Sequence, residues 1–175
     1  SSKVLGHSNA TINDDVSRLR ALFNFAKDEG WISGKSPFVK IKKLPTESKP
    51  VRYINSEQIN AVLEVAERVS PAIHLFCGLA VLAGLRKKEA VFGHWEWVDW
   101  KGRAITVQGE DEGRCITKSK RHRTIPLNER LLAILGLYRK SEGYIIPTDR
   151  YSEGKWRYRY EPRKAFTSVV RAAGV

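Results

Sequence analysis

The chain has 175 residues, 42% of them apolar, so one domain of ordinary size can bury a core. Its 31 Lys and Arg against 19 Asp and Glu leave a formal charge of +12, which points to a polyanionic partner, nucleic acid before membrane. No apolar run is long enough to span a bilayer, no signal peptide opens the chain, and the separated Cys77 and Cys115 read as reduced intracellular thiols rather than a disulfide framework. With no methionine at all, a fragment or processed chain is the simplest expectation.

In chain order, Ile12, Val16, Leu19, Leu22, Phe23 and Ala26 make one apolar stripe and predict a helix over 11–29, ended by Gly30. One such stripe cannot be buried by its own helix, so it needs partners. Residues 39–52 are basic, carry Pro45 and Pro50, and read as a linker. Ser56 suits the start of a second helix with Ile59, Val62, Leu63 and Ala66 inward. Pro71 opens a more evenly apolar helix through Leu82, and Gly84 breaks it. A short helix from about Lys87 follows.

Short β signals come next at 94–100, 104–107, 114–117 and 123–127, predicting a small antiparallel sheet with a basic hairpin. Asn128 caps a helix carrying Leu131, Leu132, Leu135 and Leu137. Residues 143–147 suit one more short strand, 148–160 an irregular loop, and Pro162 a final helix with Ala165, Phe166, Val169 and Val170 inward. The fold class predicted is α+β, mainly helical.

Two motifs carry chemistry. In the first, Ala83-Gly84-Leu85-Arg86-Lys87-Lys88-Glu89, a sharp turn at Gly84 lets Leu85 plug the core and throws Arg86 towards a ligand. A guanidinium fork matches two phosphate oxygens in parallel. Glu89 can brace that fork from one helix turn on. The bland alternatives are a surface arginine just past a helix end and an ordinary exposed glutamate. In the second, Arg114, Lys118, Lys120, Arg121 and Arg123 crowd one ten-residue stretch that contains no acid. Such a run is usually a solvated face, or binds phosphates without specificity. Lys118 lies just before the expected hairpin tip, where a long side chain can reach into a groove. The four histidines and two cysteines show no metal-ligand spacing, which argues against zinc. Trp95, Trp97 and Trp100 can stack on bases but suit packing better.

The order of these parts resembles the tyrosine recombinases, the phage-integrase family. Ala83–Glu89 resembles that family's first arginine box. Ile116-Thr117-Lys118-Ser119 followed by Arg123-Thr124-Ile125-Pro126-Leu127 resembles its β-hairpin lysine motif. Thr11-Ile12-Asn13 through Ser36-Pro37-Phe38 is similar to the last helix of its core-binding domain. The resemblance implies three parts: residues 1–38 as the end of a helical, SAM-like core-binding domain, 39–52 as linker, and 53–175 as the first part of the catalytic domain. It stops short of the family's His-x-x-Arg box and nucleophilic tyrosine, which are expected beyond Val175.

What the resemblance implies is cleavage and rejoining of DNA through a 3′-phosphotyrosyl link, with no ATP, metal or other cofactor. Arg86 stands as the first transition-state arginine and Lys118 as the general acid that protonates the leaving 5′-oxygen, with Glu89 in support. DNA contacts are expected from Lys87, Lys88, Arg114, Lys120, Arg121, His122 and Arg123, and from Lys42 and Lys43 in the linker. Partners are double-stranded DNA and further recombinase protomers, a tetramer in the parent, with no membrane. The expected location is the cytoplasm, at the nucleoid. As a fragment the chain is expected to be inactive. The competing readings are a non-catalytic DNA-binding or architectural relative and an unrelated basic RNA-binding domain.

Overall fold

The computed structural model describes residues 6–47, 50, 53–111, 114–115, 121–147 and 160–175, and of Asp111, Arg114 and Cys115 the backbone alone. The chain divides into two compact units, Ser1–Arg52 and Tyr53–Val175.

The first unit is built on α1 (Asn9–Asp28), capped by the Ser8 hydroxyl, which accepts from the Thr11 N–H. None of its residues is buried. Ile41, Leu44 and Pro45, in the stretch read from sequence as linker, are bonded to this helix. Asn13 brackets Leu44, its Nδ2 donating to the Leu44 carbonyl at 2.9 Å and its Oδ1 accepting from the Leu44 N–H at 2.8 Å. Arg20 donates to the carbonyls of Phe38 and Ile41. Phe23 meets Phe38 edge to face. Leu22 and Phe25 on the helix and Trp31 beyond its end stay exposed.

The second unit holds the core. α2 (Ser56–Val69) begins one residue earlier in its capping than the Ser56 expectation. Asn55 is the cap, and its side chain and that of Gln58 exchange hydrogen bonds with each other's backbone N–H in a capping box. α3 (Pro71–Leu82) follows, with the Ser70 hydroxyl accepting from Ile73. Its residues from Ile73 through Leu79 are all buried, which explains the near-continuous apolar run. Gly78 packs beneath Leu131 and Ile134: a Cβ there would meet both side chains at 3.4 Å. α5 (Glu129–Leu137) starts at Asn128 as expected and buries Leu131, Ile134 and Leu135. Leu137 is exposed at the helix end.

The sheet differs from the expectation in its pairing, in the 94–100 stretch and at 143–147. β1 (Val98–Asp99), β2 (Ala104–Val107) and β5 (Arg123–Pro126) form an antiparallel sheet in the order β1-β2-β5, while β3 (Glu110–Asp111) and β4 (Arg114–Cys115) pair separately. So β5 pairs with β2, Val107 opposite Arg123 and Ile105 opposite Ile125, rather than with the strand next to it in sequence. Most of the 94–100 β signal is a 3-10 turn at Trp95–Trp97, closed by the Trp97 N–H on the His94 carbonyl at 3.1 Å, with both indoles packed inward. Residues 143–147 give a single bridge, Tyr144 to His94. α6 (Arg163–Ala172) closes the unit through Val169.

Leu131 is fully buried. Leu131→Ala should lower unfolding stability by about 2–5 kcal/mol, read as a shifted urea midpoint, because the cavity under α3 cannot fully collapse.

Candidate functional site: a buried carboxylate behind an outward arginine

α3 ends at Leu82, and the chain reverses at Gly84, whose φ of +63° is the left-handed region. The Leu85 N–H closes the turn on the Leu79 carbonyl at 3.2 Å, and Leu85 is buried. Arg86 follows as the N-cap of α4 (Lys87–Val91), in extended conformation. Its side chain is 68% exposed. The sequence-level picture of a plug at 85 and a projecting arginine at 86 is the local geometry found.

Glu89 is not the ordinary surface glutamate it resembles in sequence; it is fully buried. Its Oε2 accepts from the Arg86 backbone N–H at 2.7 Å, and its Oε1 accepts from Arg86 Nη1 at 3.1 Å. The other side of the carboxylate is gripped by Arg123 from β5. Arg123 Nη1 donates to Oε1 at 2.8 Å and Nη2 to Oε2 at 2.6 Å, a parallel two-pronged pair. Burial pushes the Glu89 carboxyl up, but the Arg123 guanidinium, the Arg86 N–H and the Arg86 guanidinium together hold it down at about 2. The same pairing raises Arg123. Two guanidiniums thus share one buried anion.

Of the other expected contacts, Lys87 and Lys88 are exposed on α4. Lys87 Nζ donates to Glu161 Oε2 at 2.8 Å, an acid the sequence reading passed over. Arg121 and His122 are exposed ahead of β5, and His122 Nδ1 accepts from the Gly109 N–H. Lys118 and Lys120 lie outside the described residues, as does the side chain of Arg114. Lys42 and Lys43 are exposed in the first unit. The link from Glu89 to Arg123 spans 34 positions and left no local sequence signal. Cys77 is buried, with its thiol pushed up to about 11 by that burial, as suits a core residue. Among the described residues no group of three or more His, Cys, Asp or Glu gathers as a metal site, and no helix is long and apolar enough to cross a membrane.

Since Glu89 is depressed in the folded chain, its stabilising contribution is complete above the ordinary carboxylate value and disappears as pH falls through about 2. Acid unfolding followed by circular dichroism should therefore respond to this group over that interval. Glu89→Gln should be less stable at neutral pH and should flatten the acid limb; an unaltered limb would rule the carboxyl out as the linked group. Separately, Gly84→Ala should cost about 1–2 kcal/mol from left-handed backbone strain alone, since a Cβ there meets nothing within 4 Å.

No protein-family model and no curated protein matches the chain. Solved structures do. XerA recombinase matches at 16% identity and TM-score 0.54 over 89% of this chain and 53% of its own. The catalytic domain of bacteriophage HP1 integrase matches at 20% identity and TM-score 0.51, over 72% and 61%. The integrase from mycobacterium phage Brujita matches at 22% identity and TM-score 0.52, over 97% and 54%. The chain therefore spans between half and two thirds of the length of each. Helices around a small antiparallel sheet give this chain the fold of the bacteriophage HP1 integrase catalytic domain, shared with XerA recombinase and the Brujita integrase.

Proposed function

We propose that this chain supplies part of a site-specific DNA recombinase or integrase, the part that brings Arg86 to the scissile phosphate. The observation that carries the reading is the state of Arg86. Its head group is exposed while its backbone and one Nη are fastened to a buried carboxylate. A guanidinium so held keeps its remaining donors pointed outward without further ordering cost, which is what stabilising charge on a phosphorane-like transition state demands. In the complete reaction a tyrosine attacks the phosphodiester, leaving a 3′-phosphotyrosyl link and a 5′-hydroxyl whose proton comes from Lys118. Attack by a 5′-hydroxyl reverses both steps, so the phosphoryl bond energy is conserved.

Lys87, Lys88, Arg121 and His122 support the reading as exposed groups flanking the two elements that meet at Glu89. With Lys120, Arg114, Lys42 and Lys43 they serve as phosphate contacts, which position the duplex without reading its sequence. The partner is double-stranded DNA, with further protomers assembled on it. No His-x-x-Arg occurs in the 175 residues, so the chain by itself completes no cleavage.

Binding of a short duplex should weaken steeply with salt, and Arg86→Ala should lower affinity across sequences while reducing the salt slope by about 1. Incubation with a nicked suicide duplex should trap no covalent protein–DNA adduct. Structured RNA competing as well as duplex DNA at matched salt, or a slope indifferent to Arg86, would defeat the reading.

A further inference from the structure

Arg123 belongs to the basic stretch that sequence assigns to DNA, yet its geometry gives it a different task. Both of its terminal nitrogens are spent on the two oxygens of Glu89, at 2.8 and 2.6 Å. Its side chain is 35% exposed, half the value for Arg86. Arg86 by contrast gives the same carboxylate one side-chain bond, longer at 3.1 Å. The acid is therefore matched in charge and in fork geometry by Arg123, and only braced against Arg86.

A lone buried glutamate beside Arg86 would hold the arginine in place but also neutralise it, and a neutralised pair attracts a phosphate poorly. A second guanidinium removes that conflict. From these distances we infer that Arg123 is a positioning residue that cancels the charge of Glu89, so that Arg86 is anchored by the carboxylate yet keeps its full positive charge for a phosphate oxygen. The inference rests on the reading of Arg86 as a phosphate contact. It also explains why two elements distant in sequence, the α4 start and β5, are pinned at one carboxylate.

The test compares duplex binding by the full 175-residue chain across a salt series, for the parent and for Arg86→Gln, Arg123→Gln, Glu89→Gln and the double variant Glu89→Gln/Arg123→Gln. Circular dichroism melts check that each is folded. Arg86→Gln and Arg123→Gln should each weaken binding about tenfold, the scale of one charge-assisted hydrogen bond, and lower the salt slope by about 1. The double variant, which replaces the ion pair by two amides of similar shape, should return to the slope of the parent. If Arg123→Gln does not fold, the comparison of the double variant with the parent decides instead. The net charge of the cluster is the same in both, so the two should bind alike. A double variant about tenfold weaker than the parent, with a salt slope lower by about 1, would show Arg123 touching DNA itself and overturn the inference, as would Arg123→Gln binding like the parent. If Arg86→Gln alone leaves affinity and slope unchanged, the phosphate-contact reading fails first and this inference goes with it.

Discussion

A carboxylate sealed from solvent must find all its hydrogen bonds inside the protein, and Glu89 finds four: one from the Arg86 backbone, one from its guanidinium and two from Arg123. Taking such a charge out of water costs several kcal/mol before any partner is counted. Only a full set of charge-assisted donors offsets it. That requirement fixes geometry: β5 must lie where Arg123 can meet both oxygens, and α4 must begin where the Arg86 N–H can reach one. A partner deleted from this arrangement leaves an uncompensated anion, the circumstance in which buried pairs become costly by about 3–5 kcal/mol.

The rest of the second unit serves to hold those two elements still. β5 is registered against β2, whose Ile105 and Val107 are fully buried, so Arg123 opposite Val107 stands at the end of a ladder that cannot slip by one residue without turning its apolar face outward. α4 is too short to be stable alone. It is held by the buried Leu85 before it, and by Ala90 and Val91 within it. α3 and α5 supply the floor, packed together where Leu131 and Ile134 lie over Gly78. The precision of the arginine is thus inherited from apolar packing, while the carboxylate sets its direction.

Much of this was readable from the sequence, for reasons that vary by element. α2 and α5 declared themselves because a capping residue and a 3.6-residue apolar period agree, as at Asn128 with Leu131 and Leu135, and α3 because an apolar run opens on Pro71 and breaks at Gly84. The turn at Gly84 was legible because a glycine between an apolar helix and a charged segment has few other uses. The 94–100 stretch misled: tryptophans raise strand propensity, and the order of buried Trp95, exposed Glu96 and buried Trp97 is the order a strand would show, yet the segment turns as a 3-10 helix. Strand partners also stayed hidden, since adjacency in sequence favours β4 for β5 and the ladder joins β5 to β2. Glu89 could be suspected of bracing Arg86 from its i+3 spacing. Its burial, and its grip on Arg123, depend on that ladder and have no local signature.

Two ion pairs beside Arg86 illustrate how exposure separates structure from exchangeable charge. Glu89 with Arg123 is sealed on the acid side and satisfied on every oxygen, so it persists through changes of salt. Lys87 with Glu161 has both side chains more than half exposed, at 57% and 53%. A pair of that kind contributes little and is screened by ordinary ionic strength. A phosphate diester arriving at α4 can therefore take Lys87 from Glu161 at little cost, whereas it cannot take Arg123 from Glu89. The site so divides its cations by burial. One is committed inward to keep the acid neutralised, and the others, Arg86 first among them, stay available to an anion from outside.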